Sequence, residues 1–302
     1  MDNYLSLITD TDKTVGAYIY PYGLFGGGDT ASSTAYTDKY TLSNNVVSPG
    51  TVLGLARHVL AACGNSTVGI FGGGHTGSLS AYTDKYTYSS NVVAVGTILG
   101  LVREDLRAAS NSTVGIFGGG HIGSITNYTD KYTFSNNVVA AGTVLSSVKF
   151  SLAACGNSVV GIFGGGHTGS LSATTDKYIY SNNTIIVGTV LGLARYSLSA
   201  CGNSTVGIFG GGITAVTNYS TYTDKYTYNN DIVAAGTVLG LGRYYSTATG
   251  NSMVGIIGGG DIGSASSYTD KYTYSSNVVA AGTVLGLARA GLAATSSSPG
   301  GF

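Results

Sequence analysis

The chain has 302 residues, including 48 glycines and 23 tyrosines but no tryptophan, and only 9% of its residues are charged. Its 14 basic and 14 acidic residues give a net charge of zero and no Lys/Arg cluster occurs, so the electrostatic attraction that drives nucleic-acid binding has no source. No apolar stretch approaches the roughly 18 residues of a membrane span, and the N-terminus has no signal-peptide pattern, so we expect a soluble chain that contacts no membrane.

Residues 1–17 precede the first repeat and are predicted either to form an N-terminal arm that lies on the body or to be frayed. The rest of the chain is a tandem array with steps of 46 residues and one step of 48. A period in this range is typical of propellers and helical arrays. Glycine triplets begin at Gly26, Gly72, Gly118, Gly164, Gly210 and Gly258, and Thr-Asp-Lys begins at Thr37, Thr83, Thr129, Thr175, Thr223 and Thr269.

Each repeat contains four short segments rich in Val, Ile, Thr and Tyr, separated by Gly, Asn and Ser. In chain order they are a segment ending in the glycine triplet, the Thr-Asp-Lys segment, an apolar segment before Gly-Thr, and a segment that follows Leu-Ala-Arg. This composition predicts four strands per repeat. The Leu-Ala-Arg segment is too short between its glycines for a typical helix, so we predict an all-β chain.

The stretch FGGGHTGS at 71–78 fits the glycine spacing of a dinucleotide-binding loop. That loop works only when it opens a helix, whose N-terminus binds the pyrophosphate, and no helix is predicted after the glycines. Six copies of one cofactor loop would also serve no purpose. We therefore predict no cofactor and assign the glycines to close backbone approach at the end of a strand.

The repeats also predict how the array closes. The segments with Arg run from Arg57 to Arg289, so the chain starts inside one repeat and ends with the strand that this repeat lacks. We predict a single domain over residues 1–302 that folds as a six-bladed β-propeller. Each blade has four antiparallel strands, and the C-terminal strand pairs into the N-terminal blade, which leaves only short protected edges.

Most charged residues occupy three repeated positions: the Asp and Lys of Thr-Asp-Lys, and the basic residue that we place in the innermost strand. We predict that each Asp accepts hydrogen bonds from backbone or from an Arg of a neighbouring blade and so acts as a latch between blades. Catalytic acids are disfavoured because equivalent residues would stand about 10–12 Å apart. The latch residues are Asp38, Asp84, Asp130, Asp176, Asp224 and Asp270 with Arg57, Arg103, Arg195, Arg243 and Arg289; Lys149 fills the sixth basic position.

Two variable positions stand out when the repeats are compared, the residue after the glycines and the residue after the Arg. In an antiparallel meander both lie on the same face of the propeller, and loops on a rigid scaffold are a common place for recognition. Neutral drift at exposed loops is the alternative interpretation. The candidate binding residues are Asp29, His58, His75, Glu104, His121, His167, Tyr196, Tyr244 and Asp261.

Other residue types could suggest chemistry but have simpler explanations. Three loop histidines in successive repeats would stand too far apart for the short bonds of a zinc site, so we predict no metal. The three cysteines, Cys63, Cys155 and Cys201, recur at a position that Ala or Thr fills elsewhere, which indicates small core residues in a reducing compartment. Tyr86 and Tyr88 are predicted to fill the core.

The order of these features resembles the kelch repeat. An Arg segment, a strand ending in Gly-Gly and an acidic residue two positions before a Tyr recur between about Tyr18 and Thr295. The chain departs from kelch in having no Trp, with Ala-Gly-Thr in its outer strand. The resemblance implies a propeller that uses its face loops to bind partners.

Together these features predict a monomeric, non-catalytic scaffold that binds a protein or a glycan through one face. A structural or virion-associated module without a small-molecule ligand is the alternative, and either would be cytoplasmic or virion-associated. A copper-dependent kelch-type oxidase is a weaker alternative, since it needs Tyr, Cys and His close to the axis. None of the three Cys has such a His in an identifiable companion segment.

Overall fold

The computed structural model describes residues 21–216 and 219–298. These residues form 24 strands and no helix, so no helix in this part of the chain could cross a membrane. The strands form six four-stranded antiparallel sheets. The predicted N-terminal arm, residues 1–17, lies outside the described residues.

Five sheets are continuous in sequence, and each forms one blade of the propeller. Blade 1 contains β4 (Ala61–Gly64), β5 (Val68–Gly72), β6 (Thr83–Thr87) and β7 (Val92–Val95). Blade 2 contains β8 (Arg107–Ser110), β9 (Val114–Gly118), β10 (Thr129–Thr133) and β11 (Val138–Ala141). Blade 3 contains β12 (Ala153–Gly156), β13 (Val160–Gly164), β14 (Thr175–Ile179) and β15 (Thr184–Gly188). Blade 4 contains β16 (Ser199–Gly202), β17 (Val206–Gly210), β18 (Thr223–Thr227) and β19 (Ile232–Ala235). Blade 5 contains β20 (Thr247–Gly250), β21 (Val254–Gly258), β22 (Thr269–Thr273) and β23 (Val278–Ala281).

Blade 6 joins the two ends of the array, which confirms the predicted closure. It contains β24 (Ala293–Ser296), β1 (Tyr22–Gly26), β2 (Thr37–Thr41) and β3 (Val46–Pro49). β24 pairs antiparallel with β1, and Phe25 stands opposite Ala294. The innermost strands of adjacent blades contact one another around the whole ring, including β24 with β4.

The core lies between blades. The second strand of each blade is buried along its length, whereas the outermost strand is largely exposed. Between blades 1 and 2, Cys63 and Ile70 pack with Phe117 and Tyr132. Equivalent apolar clusters fill the other five gaps, so each blade buries its faces against its two neighbours.

The glycine triplet meets two separate requirements of this packing. A Cβ on Gly72 would stand only 2.9 Å from Cε1 of Phe117 in the next blade, so the first position must stay small. Gly73 and Gly74 have φ angles of 70° and 97°, a region that side chains disfavour. The triplet therefore lets the second strand pass a neighbouring ring and then turn sharply, and no helix follows it.

The predicted place of the Arg residues was wrong. Arg57 lies in the linker between blades, ahead of β4, rather than in the innermost strand. Arg57 does not pair within β4, because its backbone N–H donates to the C=O of Thr34 in the preceding blade at 3.2 Å. Its side chain extends into the following blade, where it binds Asp84.

A closed ring of hydrogen bonds surrounds the axis at the inner end of the linkers. One residue of each linker adopts a left-handed conformation with φ between 46° and 61°. Its N–H donates to the C=O of the equivalent residue in the preceding blade, at 2.6–3.0 Å. The six residues are Val59, Asp105, Ser151, Ser197, Tyr245 and Gly291. This ring defines the mouth of the axial channel.

Candidate functional site

Each latch Asp binds a basic side chain and the backbone of a linker at once. Asp84 Oδ2 accepts from Arg57 Nη2 at 2.6 Å, and its Oδ1 accepts from the N–H of Gly54 at 2.8 Å. Both side chains are fully buried. Burial raises the pKa of Asp84, although the Arg57 guanidinium opposes that shift. The same pair recurs in blades 2, 4, 5 and 6 at 2.5–2.6 Å.

The linker is bonded to both of its neighbouring blades. On one side the Gly50 N–H donates to the C=O of Thr37 in blade 6 at 2.9 Å. On the other side Arg57 binds Asp84 of blade 1 and lies over the ring of Tyr82, with its Cζ 5.2 Å from the ring centroid. The ion pair therefore holds the linker in the groove between two blades. The partner of each Asp is the basic residue of the linker that leads into the same blade.

Blade 3 departs from this arrangement at two positions together. Lys149 replaces the Arg and its Nζ lies 2.8 Å from Asp176 Oδ2. Thr174 replaces the Tyr over which the other five basic side chains lie, at 5.1–5.4 Å. Lys149 Nζ donates to the Thr174 hydroxyl at 3.2 Å instead. Blade 3 therefore lacks both the guanidinium and the aromatic ring over which it lies in the other five blades.

The Lys of Thr-Asp-Lys, to which sequence reasoning gave no partner, joins neighbouring blades at the outer rim. Lys85 Nζ of blade 1 donates to Asn137 Oδ1 of blade 2 at 2.9 Å. Equivalent bonds at 2.8–3.2 Å complete a ring of six, with Asp231 in the place of one Asn. The acceptor has positive φ, which Asn tolerates well. The repeated spacing between Lys and this Asn was the available sequence signal.

The structure brings the two variable sets together on one face around the axial mouth. In each blade the residue after the Arg pairs with the residue after the glycines as an isolated antiparallel bridge. The pairs are Asp29 with Ala290, His58 with His75, Glu104 with His121, Phe150 with His167, Tyr196 with Ile213, and Tyr244 with Asp261. We call these twelve residues the mouth band.

The first variable position also has a local structural role that sequence reasoning missed. His75 Nδ1 accepts the N–H of Gly77 at 3.1 Å, and Asp261 Oδ1 accepts the N–H of Gly263 at 2.7 Å. His121, His167 and Asp29 accept the N–H two residues later in the same way. His and Asp are interchangeable here because each places an acceptor at the same short distance from its backbone. Only Ile213, in the blade whose loop is two residues longer, departs from this chemistry.

One half of the mouth band is aromatic. The His121 ring centroid lies 6.0 Å from that of Phe150, which lies 5.2 Å from that of His167. Tyr196 continues the series at 5.6 Å from His167. The four rings, from blades 2, 3 and 4, form what we call the aromatic arc. Such an arc offers apolar faces and polar edges to a ligand.

The other half surrounds a depression of about 390 Å³ over the axis. Its wall includes the predicted residues Asp29, His58, Glu104, Tyr244 and Asp261, together with Asp105, which the sequence did not single out. Burial lowers the pKa of His58, although Asp29 opposes the shift, and Ser33 Oγ lies 2.9 Å from its Nδ1. His75, His121, His167 and Tyr196 do not line this depression.

Among the described residues no group of three or more His, Cys, Asp or Glu side chains is arranged to hold a metal ion. The cysteines lie between blades, where burial raises the pKa of the Cys63 thiol well above its usual value. Cys63 packs in the gap between blades 1 and 2, whereas His58 lies in the wall of the depression at the axial mouth.

No protein-family model matches the chain, and no curated protein matches it either. The fold therefore stands on the six blades themselves, and the kelch resemblance stays a proposal.

Proposed function

We propose that this protein is a non-catalytic binding scaffold that recognises a protein or a glycan through the mouth band. The observation that carries the proposal is the contrast between the blades and the band. The ion pairs, packing and rim bonds repeat almost unchanged from blade to blade, whereas the side chains around the mouth differ in charge, shape and polarity. A rigid repetitive frame that presents varied side chains at one place is suited to recognition.

The chemistry of the mouth band supports binding rather than bond cleavage. Its aromatic arc offers stacking surfaces of the kind that contact sugars and protein side chains. We further propose that the chain acts as a monomer, because the ring is closed and its edges are short.

We propose that the fold is a divergent kelch propeller. The support is the order of the Arg segment, the strand ending in Gly-Gly and the acidic third strand, and the way in which the Arg meets the acid. The missing outer Trp marks the divergence.

The experiment screens the purified protein on a glycan array and a peptide array, with two variants beside the wild type. One is His121→Asp, His167→Asp and Tyr196→Ala combined, which removes three of the four rings of the aromatic arc using only residues that other blades carry at the same positions. The control is Met253→Thr on the opposite face, where Met253 is 67% exposed and other blades carry Thr.

A ligand that the wild type and the control bind at least tenfold more tightly than the triple variant supports the proposal. A ligand that all three bind equally places recognition elsewhere on the molecule. Absence of any specific ligand for the wild type favours a purely structural module instead.

A further inference from the structure

The carboxylates of the described chain are distributed unevenly. Six belong to the latches, and of the remaining five all but Asp231 line the depression over the axis. They are Asp29 of blade 6, Glu104 and Asp105 of the linker leading into blade 2, and Asp261 of blade 5. No Lys is present in the wall of this depression. A chain with no net charge thus concentrates negative charge at one place.

Asp105 shows that this is more than an exposed acidic cluster. It is only 7% exposed, its Oδ1 has no hydrogen-bond partner, and it lies in the wall of the depression. A buried carboxylate oxygen without a donor is costly unless a cation or donor satisfies it. The Arg107 guanidinium lies near enough to oppose the rise that burial causes in the pKa of Asp105, but it donates its hydrogen bond to the C=O of Leu106 at 2.8 Å and lines the channel below.

The surroundings of Asp105 select the kind of cation. No three acidic or His side chains are arranged to ligate a metal ion within the described chain, so the negative charge is spread too widely for one. Tyr244 and Tyr245 stand in the same wall with their ring centroids 5.2 Å apart, and aromatic faces attract organic cations. A volume of about 390 Å³ accommodates a side chain or a small molecule rather than a bare ion.

We propose that the axial depression binds an organic cation, a guanidinium or ammonium group, whose donors reach the free oxygen of Asp105 while Asp29, Glu104 and Asp261 supply the surrounding negative field. This inference rests on the proposed function and deepens it, because it names the chemistry that one half of the mouth band recognises. A guanidinium can donate to this oxygen while its plane stacks on a tyrosine ring, so an arginine-like group is preferred over an ammonium.

The experiment titrates an acetylated tetra-arginine amide into the full chain by calorimetry, at low and at physiological salt. Tetra-citrulline, which keeps the shape but not the charge, is the control ligand. L-argininamide distinguishes the source of the cation. Binding of the monomer as tight as that of the peptide indicates a free small molecule, and a preference for the peptide indicates a side chain of a protein partner.

The repeats supply substitutions that fit the blade. Asp105→Ser combined with Arg107→Ala reproduces Ser151 and Ala153 of blade 3 and leaves the net charge unchanged. Asp29→His combined with Asp261→His keeps the acceptor for the loop N–H, as in His75. Asp231→Asn is the control, because the five equivalent residues are Asn. The single variant Asp105→Ser is expected to be less stable because Arg107 then lacks a nearby carboxylate, and the double variant avoids this.

We expect tetra-arginine to bind the wild type and Asp231→Asn equally, to bind both double variants at least tenfold more weakly, and tetra-citrulline not to bind. Equal binding of tetra-arginine to all folded forms, equal binding of tetra-citrulline, or no binding of either cation would overturn the inference. If a ligand from the array screens still depends on the aromatic arc, only the cation inference fails. If every ligand is insensitive to both halves of the mouth, the proposed function fails as well.

Discussion

Asp84 illustrates how single side chains hold this array together. Its two oxygens take a guanidinium and a backbone N–H from the same linker, so one carboxylate fixes the path between two blades. The pair is buried, and a buried pair gives little net stability over an apolar one. Removal of only one partner of the pair is strongly destabilising, because it leaves the other charge buried and uncompensated.

We therefore expect Asp84→Ala to lower the free energy of unfolding by about 3–5 kcal/mol, since Arg57 is left buried without its partner. Denaturant unfolding measures the change. Asp231→Asn, at the outer rim, is the control and should stay within about 0.5 kcal/mol of the wild type. Binding at the mouth should be unchanged in the folded fraction. An unaltered melting temperature for Asp84→Ala would show that the Asp84–Arg57 pair does not act as a latch.

The paired exception in blade 3 yields a second prediction. Lys149→Arg alone gains no ring to cover, and Thr174→Tyr alone gains no guanidinium, whereas the double variant restores the pair seen in the other five blades. We expect a favourable coupling energy of about 0.5–2 kcal/mol between the two substitutions. A double-mutant cycle by denaturant unfolding measures it. Additive effects would show that the Tyr is independent of the Arg.

At the scale of loops and strands, the turn after the glycines is the most constrained element of the mouth. Its third residue has positive φ in five blades, and four of these are glycines with φ between 94° and 105°. Blade 6 carries Ala31 there, with φ of 112°. A side chain in this region is strained, and Ala31 is exposed and gains no packing in return.

Ala31→Gly should therefore stabilise the protein by about 1 kcal/mol, because the relieved strain exceeds the added freedom of the unfolded chain. Gly123→Ala is the matched reverse change, since a Cβ there meets no atom within 4 Å, and it should destabilise by a similar amount. Thermal unfolding of both variants measures these changes, and the two melting temperatures should shift in opposite directions. If the two shifts have the same sign, backbone strain is not their cause.

At the scale of the whole molecule, stability depends on closing the ring. β24 is the strand that completes blade 6, and it also contacts the innermost strands on either side. The ring of six hydrogen bonds at the mouth, the six rim bonds of the Lys residues and the six latches all continue through this junction. Each of these three rings of interactions is interrupted if blade 6 is incomplete.

A chain that ends at Ala290 should thus unfold at a lower temperature than the full chain, because blade 6 lacks its innermost strand. Addition of a synthetic peptide covering residues 291–298 should restore much of the difference, by strand addition to β1. A peptide with Pro at positions 294 and 295, which cannot donate to the ladder, is the control. The idea fails if the truncated chain melts like the full one.

Much of this architecture could be read from the residues because its causes are local. The alternation and composition within each repeat determine four strands, the triplet glycines mark a crowded turn, and the offset of the Arg series from the others reveals how the ends meet. The face that carries the variable residues followed from strand direction alone. These features depend on neighbours within one repeat, and six near-copies make the pattern unmistakable.

The rest was decided only when six sheets closed around one axis. The Arg moved into the linker because its backbone serves one blade while its side chain serves the next. The Lys of Thr-Asp-Lys found its partner in another blade, 52 residues away in the case of Lys85 and Asn137. Asp105 became part of a charged mouth although nothing nearby in sequence marks it. Contacts across an axis depend on the angle between blades, and no local pattern along the chain encodes that angle.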